Sequence, residues 1–125
     1  MAHIKEKQLD KASRYLFLTM ALTVIKQDRR HILNGTYKIK EPYLELLGKM
    51  EMAAKEERRH LRVFMDNHHV QVVETSRHDT FTTFSFIAEG YEEKRNYFNP
   101  AIRKKVEVIL SELMEKALKQ KNVSQ

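Results

Sequence analysis

The chain has 125 residues, of which 42% are apolar and 32% are charged, and its formal net charge is +6. This length predicts one helical domain over residues 1–125, with residues 1–9 and 120–125 frayed. The absence of cysteine excludes disulfide bonds, thiolate metal sites and cysteine nucleophiles, and it favours a reducing compartment. The first residues, MAHIKEKQLDK, lack the apolar stretch of a signal peptide, so we predict a cytoplasmic protein without membrane contact.

The first predicted helix covers residues 10–33, and Asn34-Gly35 is a typical stop because both residues tolerate the left-handed conformation. Residues 15–25 contain no charged side chain and are apolar on almost every face. Such a segment must be covered on all sides. It is therefore either the central helix of a bundle or part of a subunit interface.

The uncharged segment predicts self-association, because a small bundle covers an inner helix on only two or three sides. Two-fold pairing is the commonest way to cover the remaining apolar surface. We therefore predict a homodimer with Leu18, Leu22 and Ile25 in its interface. The competing interpretation is that a later hairpin folds over this helix and completes the core within one chain.

The second predicted helix covers residues 42–67, with Pro42 in the first turn, where proline is well tolerated. Its outer face is basic and carries Lys55, Arg58, Arg59 and Arg62, and Lys26, Arg29 and Arg30 are candidates to extend it. A basic helix followed by a hairpin is similar in outline to a recognition helix and its wing, so nucleic-acid binding is the second functional hypothesis. The interspersed Glu51 and Glu56 instead favour an ordinary solvated face.

Glu57 and His60 form a Glu-x-x-His unit, which is the local element of di-iron sites in helical bundles. Asp28 and His31 look like a degenerate second copy. In a helical hairpin the two units lie ~15 Å apart, which breaks a shared site. We therefore expect no metal and no cofactor, and we expect Glu57 to be largely buried and paired with a tyrosine or a basic side chain.

Alternating β-branched and aromatic residues predict a hairpin with strands at 70–75 and 80–84 around the loop 76–79. The second strand is expected to change near Phe84–Phe86 into a third helix that ends by Phe98. Asn99 and Pro100 then predict an N-cap and the first position of the last helix. The predicted fold is mainly α, with a bundle of about four helices and one β-hairpin between helices two and three.

Three segments resemble small YhjD-like proteins of the bacilli: residues 90–103 (GYEEKRNYFNPAIR), 79–82 (DTFT) and 39–44 (IKEPYL). The resemblance covers residues 10–114. It implies no particular activity and transfers no catalytic residue to this chain.

Enzyme motifs are largely missing from the sequence. The three glycines, Gly35, Gly48 and Gly90, are too few and too far apart for a phosphate-binding loop or a dinucleotide fingerprint, and no serine lies in a nucleophile-elbow context. The leading hypothesis is a small non-enzymatic interaction protein that self-associates through helix packing. A metal-binding bundle is the third hypothesis.

Overall fold

The computed structural model describes residues 4–120. In that range the element order is α1 (Glu6–Asn34), α2 (Glu41–Asn67), β1 (Val70–Arg77), β2 (Phe81–Ala88), β3 (Tyr91–Phe98) and α3 (Asn99–Lys119). The strands form an antiparallel sheet in the order β1-β2-β3. They follow α2, as expected, but the prediction of a four-helix bundle with one hairpin is wrong. Within the described residues, three helices pack together beside a three-stranded sheet.

The error lies in residues 84–98, where a third helix was predicted. Strand β2 continues to Ala88, and Ala88 pairs directly with Tyr91 of β3. The two residues between them, Glu89 and Gly90, have φ angles of +52° and +84°. Two consecutive positive φ angles are typical of the tightest hairpin turns, whose twist matches that of the flanking strands. The chain therefore reverses direction where the helix was expected to continue.

Strand β2 is the central strand, and its side chains alternate between the two sides of the sheet. Phe84, Phe86 and Ala88 face the helices and are buried. Ser85 lies on the opposite side, where Val73 and Lys94 are its direct neighbours on β1 and β3, and it is buried as well. Ile87 lies on the same side as Ser85 and is apolar, so the alternation of apolar and polar residues is broken and the spacing of Phe84, Ile87, Ala88 and Tyr91 also fits a helix.

Helix α1 begins at Glu6, four residues before the predicted start. Gln8 and Leu9 are buried, so residues 6–9 are part of the packed helix rather than frayed. The predicted fraying of residues 1–3 and 121–125 lies outside the described residues.

The core has two parts, and α1 contributes to both. One part lies between the three helices, and the other lies between the N-terminal half of α1, the end of α2 and the sheet. Tyr15, Leu16 and Met20 pack against both parts. Because α2, α3 and the sheet all contact α1, the uncharged segment 15–25 is covered within one chain. Helix α1 therefore lies between the other elements of the domain, although not in the four-helix bundle that was predicted.

Gly35 ends α1, but not in the left-handed conformation that the sequence suggested. Its φ is −87° and its ψ is −174°, and its N–H donates to the carbonyl oxygen of Ile32 at 3.3 Å. A Cβ at this position would lie 2.7 Å from the carbonyl oxygen of His31, closer than real Cβ contacts. The need for glycine at this helix end is therefore steric.

Asn99 was predicted to cap α3, and this prediction is wrong. Asn99 is the first helical residue, and no side chain caps the helix. Its Nδ2 donates to the carbonyl oxygens of His78 and Asp79, at 2.9 and 3.0 Å, and its Oδ1 accepts a hydrogen bond from Thr82 at 2.7 Å. Asn99 therefore holds the loop between β1 and β2 instead of its own helix, whereas Pro100 lies in the first turn as predicted.

Candidate interaction surfaces

The basic face of α2 consists of Lys55, Arg58, Arg59 and Arg62, as the sequence suggested. The chain itself already engages several of these cations. Lys55 Nζ lies 2.7 Å from Glu51, whose second oxygen accepts from Arg29 of α1, also at 2.7 Å. The hydrogen bonds from Lys55 and Arg29 hold the pKa of the Glu51 carboxyl below its ordinary value. Part of the predicted nucleic-acid surface is therefore compensated locally, and Arg59 has the ring of His60 as its one side-chain hydrogen-bond partner among the described residues.

Arg58 and Arg62 both reach across to Tyr15 of α1. Arg58 Nη2 donates to the phenol oxygen at 2.7 Å and Arg62 Nη1 at 3.2 Å. Arg58 also donates from Nε to Thr19 Oγ1 at 2.9 Å, and its guanidinium carbon lies 4.7 Å from the centre of the Tyr15 ring. The hydrogen bond to Tyr15 contributes most to raising the pKa of Arg62. This convergence depends on the pairing of α1 with α2, so the sequence of one helix gives no sign of it.

Leu18, Leu22 and Ile25 were predicted to form a dimer interface, but the structure buries them within one chain. Their exposed fractions are 0%, 7% and 0%. They belong to the core between the three helices, together with Met50 of α2 and Leu113 of α3. These three side chains are therefore not accessible to a second copy, and this assignment of the interface is wrong. The prediction was wrong because α2 and α3 together cover the face of α1 that carries these three residues.

Glu57 is paired with a basic side chain, as predicted, but it is not largely buried. Arg14 of α1 donates to both Glu57 oxygens, at 2.6 and 3.1 Å, and to Glu112 of α3 at 2.9 Å. The exposed fractions of the Arg14 and Glu57 side chains are 33% and 37%. The hydrogen bond to Glu57 is the main cause of the raised pKa of Arg14. Arg14 thus joins all three helices through half-exposed ion pairs.

The two Glu/Asp-x-x-His units lie in different grooves. Glu57 and His60 line a groove with residues 6–14 of α1, whereas Asp28 and His31 line another groove with Leu47. The two units therefore do not share one site. Within residues 4–120, no group of three or more histidine, aspartate or glutamate side chains is arranged to hold a metal ion.

Exposed apolar side chains lie at the end of α1, in the α1–α2 connection, at the start of α2 and at the end of α3, and they were not predicted from the sequence. These side chains are between 42% and 69% exposed: Leu33, Tyr37, Ile39, Tyr43, Met114 and Leu118. The rings of Tyr37 and Tyr43 lie 6.4 Å apart, and with Met114 they line a groove of about 380 Å³. We call these six residues the apolar end. The available signal was two apolar residues, Tyr37 and Ile39, in a short connection that should otherwise be polar.

Comparisons with known proteins agree with the resemblance of the three sequence segments. A sequence profile described as "YhjD protein" matches residues 3–118. The chain belongs to the YhjD family. A YhjD relative from Bacillus subtilis (strain 168), described as uncharacterized, is 34% identical over 111 residues, which cover 89% of this chain and 92% of the relative. No solved structure matches the chain.

No helix within residues 4–120 combines the length and the apolar character that a bilayer crossing requires.

Proposed function

We propose that this YhjD-family chain is a non-enzymatic interaction protein that associates with a second copy of itself through the apolar end. The observation that supports the proposal is the exposure of the six apolar side chains of the apolar end, three of which, Tyr37, Tyr43 and Met114, line one groove. Soluble monomers rarely keep a large contiguous apolar surface in water, because burying it is favourable. Isolated exposed residues such as Met52 need no such explanation.

The charges around the apolar end favour a second copy over a partner of one charge sign. Glu41 and Glu45 lie near Tyr43 in α2, and Lys116 and Lys119 lie near Leu118 in α3. Lys38 and Lys40 flank Ile39, and Glu115 is paired with Lys119 at 3.0 Å, so both signs occur around the apolar end. In a two-fold dimer the same surface serves both partners, so a surface with both signs can meet opposite charges in its copy. A strongly acidic or basic partner would meet like charges on one side.

Ile39 and Leu118 provide the sharpest test, because their exposed fractions of 65% and 69% are the largest within the apolar end. Replacing both with glutamate should cost little folding stability, since exposed substitutions usually change it by less than ~0.5 kcal/mol. It should nevertheless place two charges in each half of the interface. Met52→Glu is the matched control, because Met52 is 74% exposed and lies on α2 outside the apolar end.

The measurement is the mass in solution, by light scattering and sedimentation over a wide range of protein concentration. We expect the unaltered chain and Met52→Glu to reach twice the mass of one chain, and the double variant to remain monomeric with an unchanged helical signal. A wild-type chain that stays monomeric at every concentration would contradict the proposal, as would equal dissociation of Met52→Glu. Sedimentation of the monomer with anionic vesicles, lost in the double variant, would assign the apolar end to a membrane surface instead.

A further inference from the structure

Tyr15, Arg58 and Arg62 form a cluster with more hydrogen-bond donors than acceptors. The phenol oxygen of Tyr15 accepts from both guanidinium groups. In residues 4–120, the hydroxyl hydrogen of Tyr15 has no acceptor, and neither Arg58 Nη1 nor Arg62 Nη2 donates to a protein atom. Guanidinium groups have no acceptor of their own. Three donor atoms of the cluster therefore have no acceptor among the described residues.

The charge of the cluster is also incompletely compensated. In the described part of the chain, no carboxylate lies within 4.0 Å of Arg58, and Arg62 has only Asp66, whose oxygen is 3.4 Å from Nε. One neutral oxygen thus holds two cations next to each other. Charge-assisted hydrogen bonds to an oxyanion are stronger than neutral ones, and arginine presents paired donors that match phosphate geometry. An anion at this position would satisfy the donors and reduce the repulsion between the two guanidinium groups.

A groove of about 290 Å³ opens beside the cluster. Tyr15 and Arg62 line one side, and residues 70–73 of β1 line the other. This volume is at the lower limit of sites for small molecules. Asp66 borders the same groove, and Glu51 neutralises Lys55 further along α2. The cations therefore form a localised clamp rather than a continuous track for a polyanion.

We propose that Tyr15, Arg58 and Arg62 bind a small phosphate monoester. The phosphate bridges the two guanidinium groups and accepts the hydrogen of the Tyr15 hydroxyl, and the remainder of the molecule occupies the groove along β1. The apolar end is formed by other residues, so this site does not depend on the proposed self-association.

Phosphate binding is tested by calorimetric titration with inorganic phosphate and with phenyl phosphate, at constant ionic strength. We expect saturable binding of both probes to one site. Tyr15→Phe keeps the ring and removes the hydroxyl donor, so affinity should fall about tenfold, the effect of one hydrogen bond to a charged group. Arg62→Gln should weaken binding at least as much. Arg59→Gln removes the same charge from the same helix and should leave the affinity unchanged.

Two outcomes would overturn the phosphate site. If Arg59→Gln weakens binding as much as Arg62→Gln, or if binding does not saturate, the effect is diffuse attraction to a basic surface. If double-stranded DNA binds with a log affinity against log salt slope of about −4, as expected for four phosphate contacts, and phenyl phosphate does not compete, the face contacts nucleic acid instead.

Discussion

The variant Leu22→Glu distinguishes between two placements of Leu22: the dimer interface predicted from the sequence and the core seen in the structure. If Leu22 lay in a dimer interface, the variant would be a folded monomer. The structure instead leaves Leu22 only 7% exposed, in the core between the three helices. The substitution removes the burial of a leucine, worth ~1.5–3 kcal/mol, and places an uncompensated carboxylate there, at a further cost of several kcal/mol. Because natural domains are stable by only ~5–15 kcal/mol, we expect most or all of the folded state to be lost.

The measurement is urea unfolding followed by circular dichroism, with gel filtration of the same samples. Leu18→Ala gives a graded comparison, since Leu18 is fully buried and such a change costs ~2–5 kcal/mol. Met52→Glu introduces the same charge at an exposed site and should keep the wild-type midpoint. A Leu22→Glu chain with wild-type helical signal, an unchanged midpoint and half the wild-type mass would refute the placement of Leu22 in the core.

Two further predictions concern the ion pairs. As the pH falls below about 5, the free energy of unfolding should fall more in the wild type than in Glu51→Gln. The folded state lowers the pKa of the Glu51 carboxyl, so this group stabilises the fold above its unfolded pKa, and the stabilisation is lost as the pH falls through the folded pKa. Urea titrations at several pH values measure the difference, and parallel curves for the two chains would contradict the prediction. Glu57→Ala should lower the free energy of unfolding by only about 1 kcal/mol, because the ion pair of Glu57 with Arg14 is partly exposed to solvent. Glu56→Ala, at an exposed position of the same helix, is the control in the urea titration. A Glu57→Ala midpoint equal to that of the control would show that the pair contributes nothing.

The three long helices could be predicted because their ends and their apolar stripes are local features of the sequence. Pro42 and Pro100 lie in the first turns of α2 and α3, and α1 ends at Asn34. Strand β3 could not be predicted in the same way. Its residues 92–96 are all charged or amide side chains, a pattern that an exposed edge strand tolerates but that does not identify a strand. The turn before it places Glu89, a non-glycine residue, at positive φ, which is an uncommon choice.

The candidate sites were harder to predict from the sequence than the helices. The cations of α2 could be identified from the sequence, but which of them remain free to bind a ligand depends on residues of α1. Tyr15 of α1 accepts a hydrogen bond from Arg58, and Arg29 of α1 shares Glu51 with Lys55. The apolar character of α1 was also recognised. Its assignment to a dimer interface was wrong because α2 and α3 pack against Leu18, Leu22 and Ile25 within the same chain, a contact that depends on tertiary packing.

The position of Asn99 has a consequence for the way the sheet and α3 support each other. Its backbone N–H donates to Thr80, and its side chain holds His78, Asp79 and Thr82. One residue thus fastens the first turn of α3 to a loop about twenty positions earlier in the sequence. The start of α3 and the β1–β2 loop are therefore joined directly by hydrogen bonds, so a substitution at Asn99 should perturb both regions together.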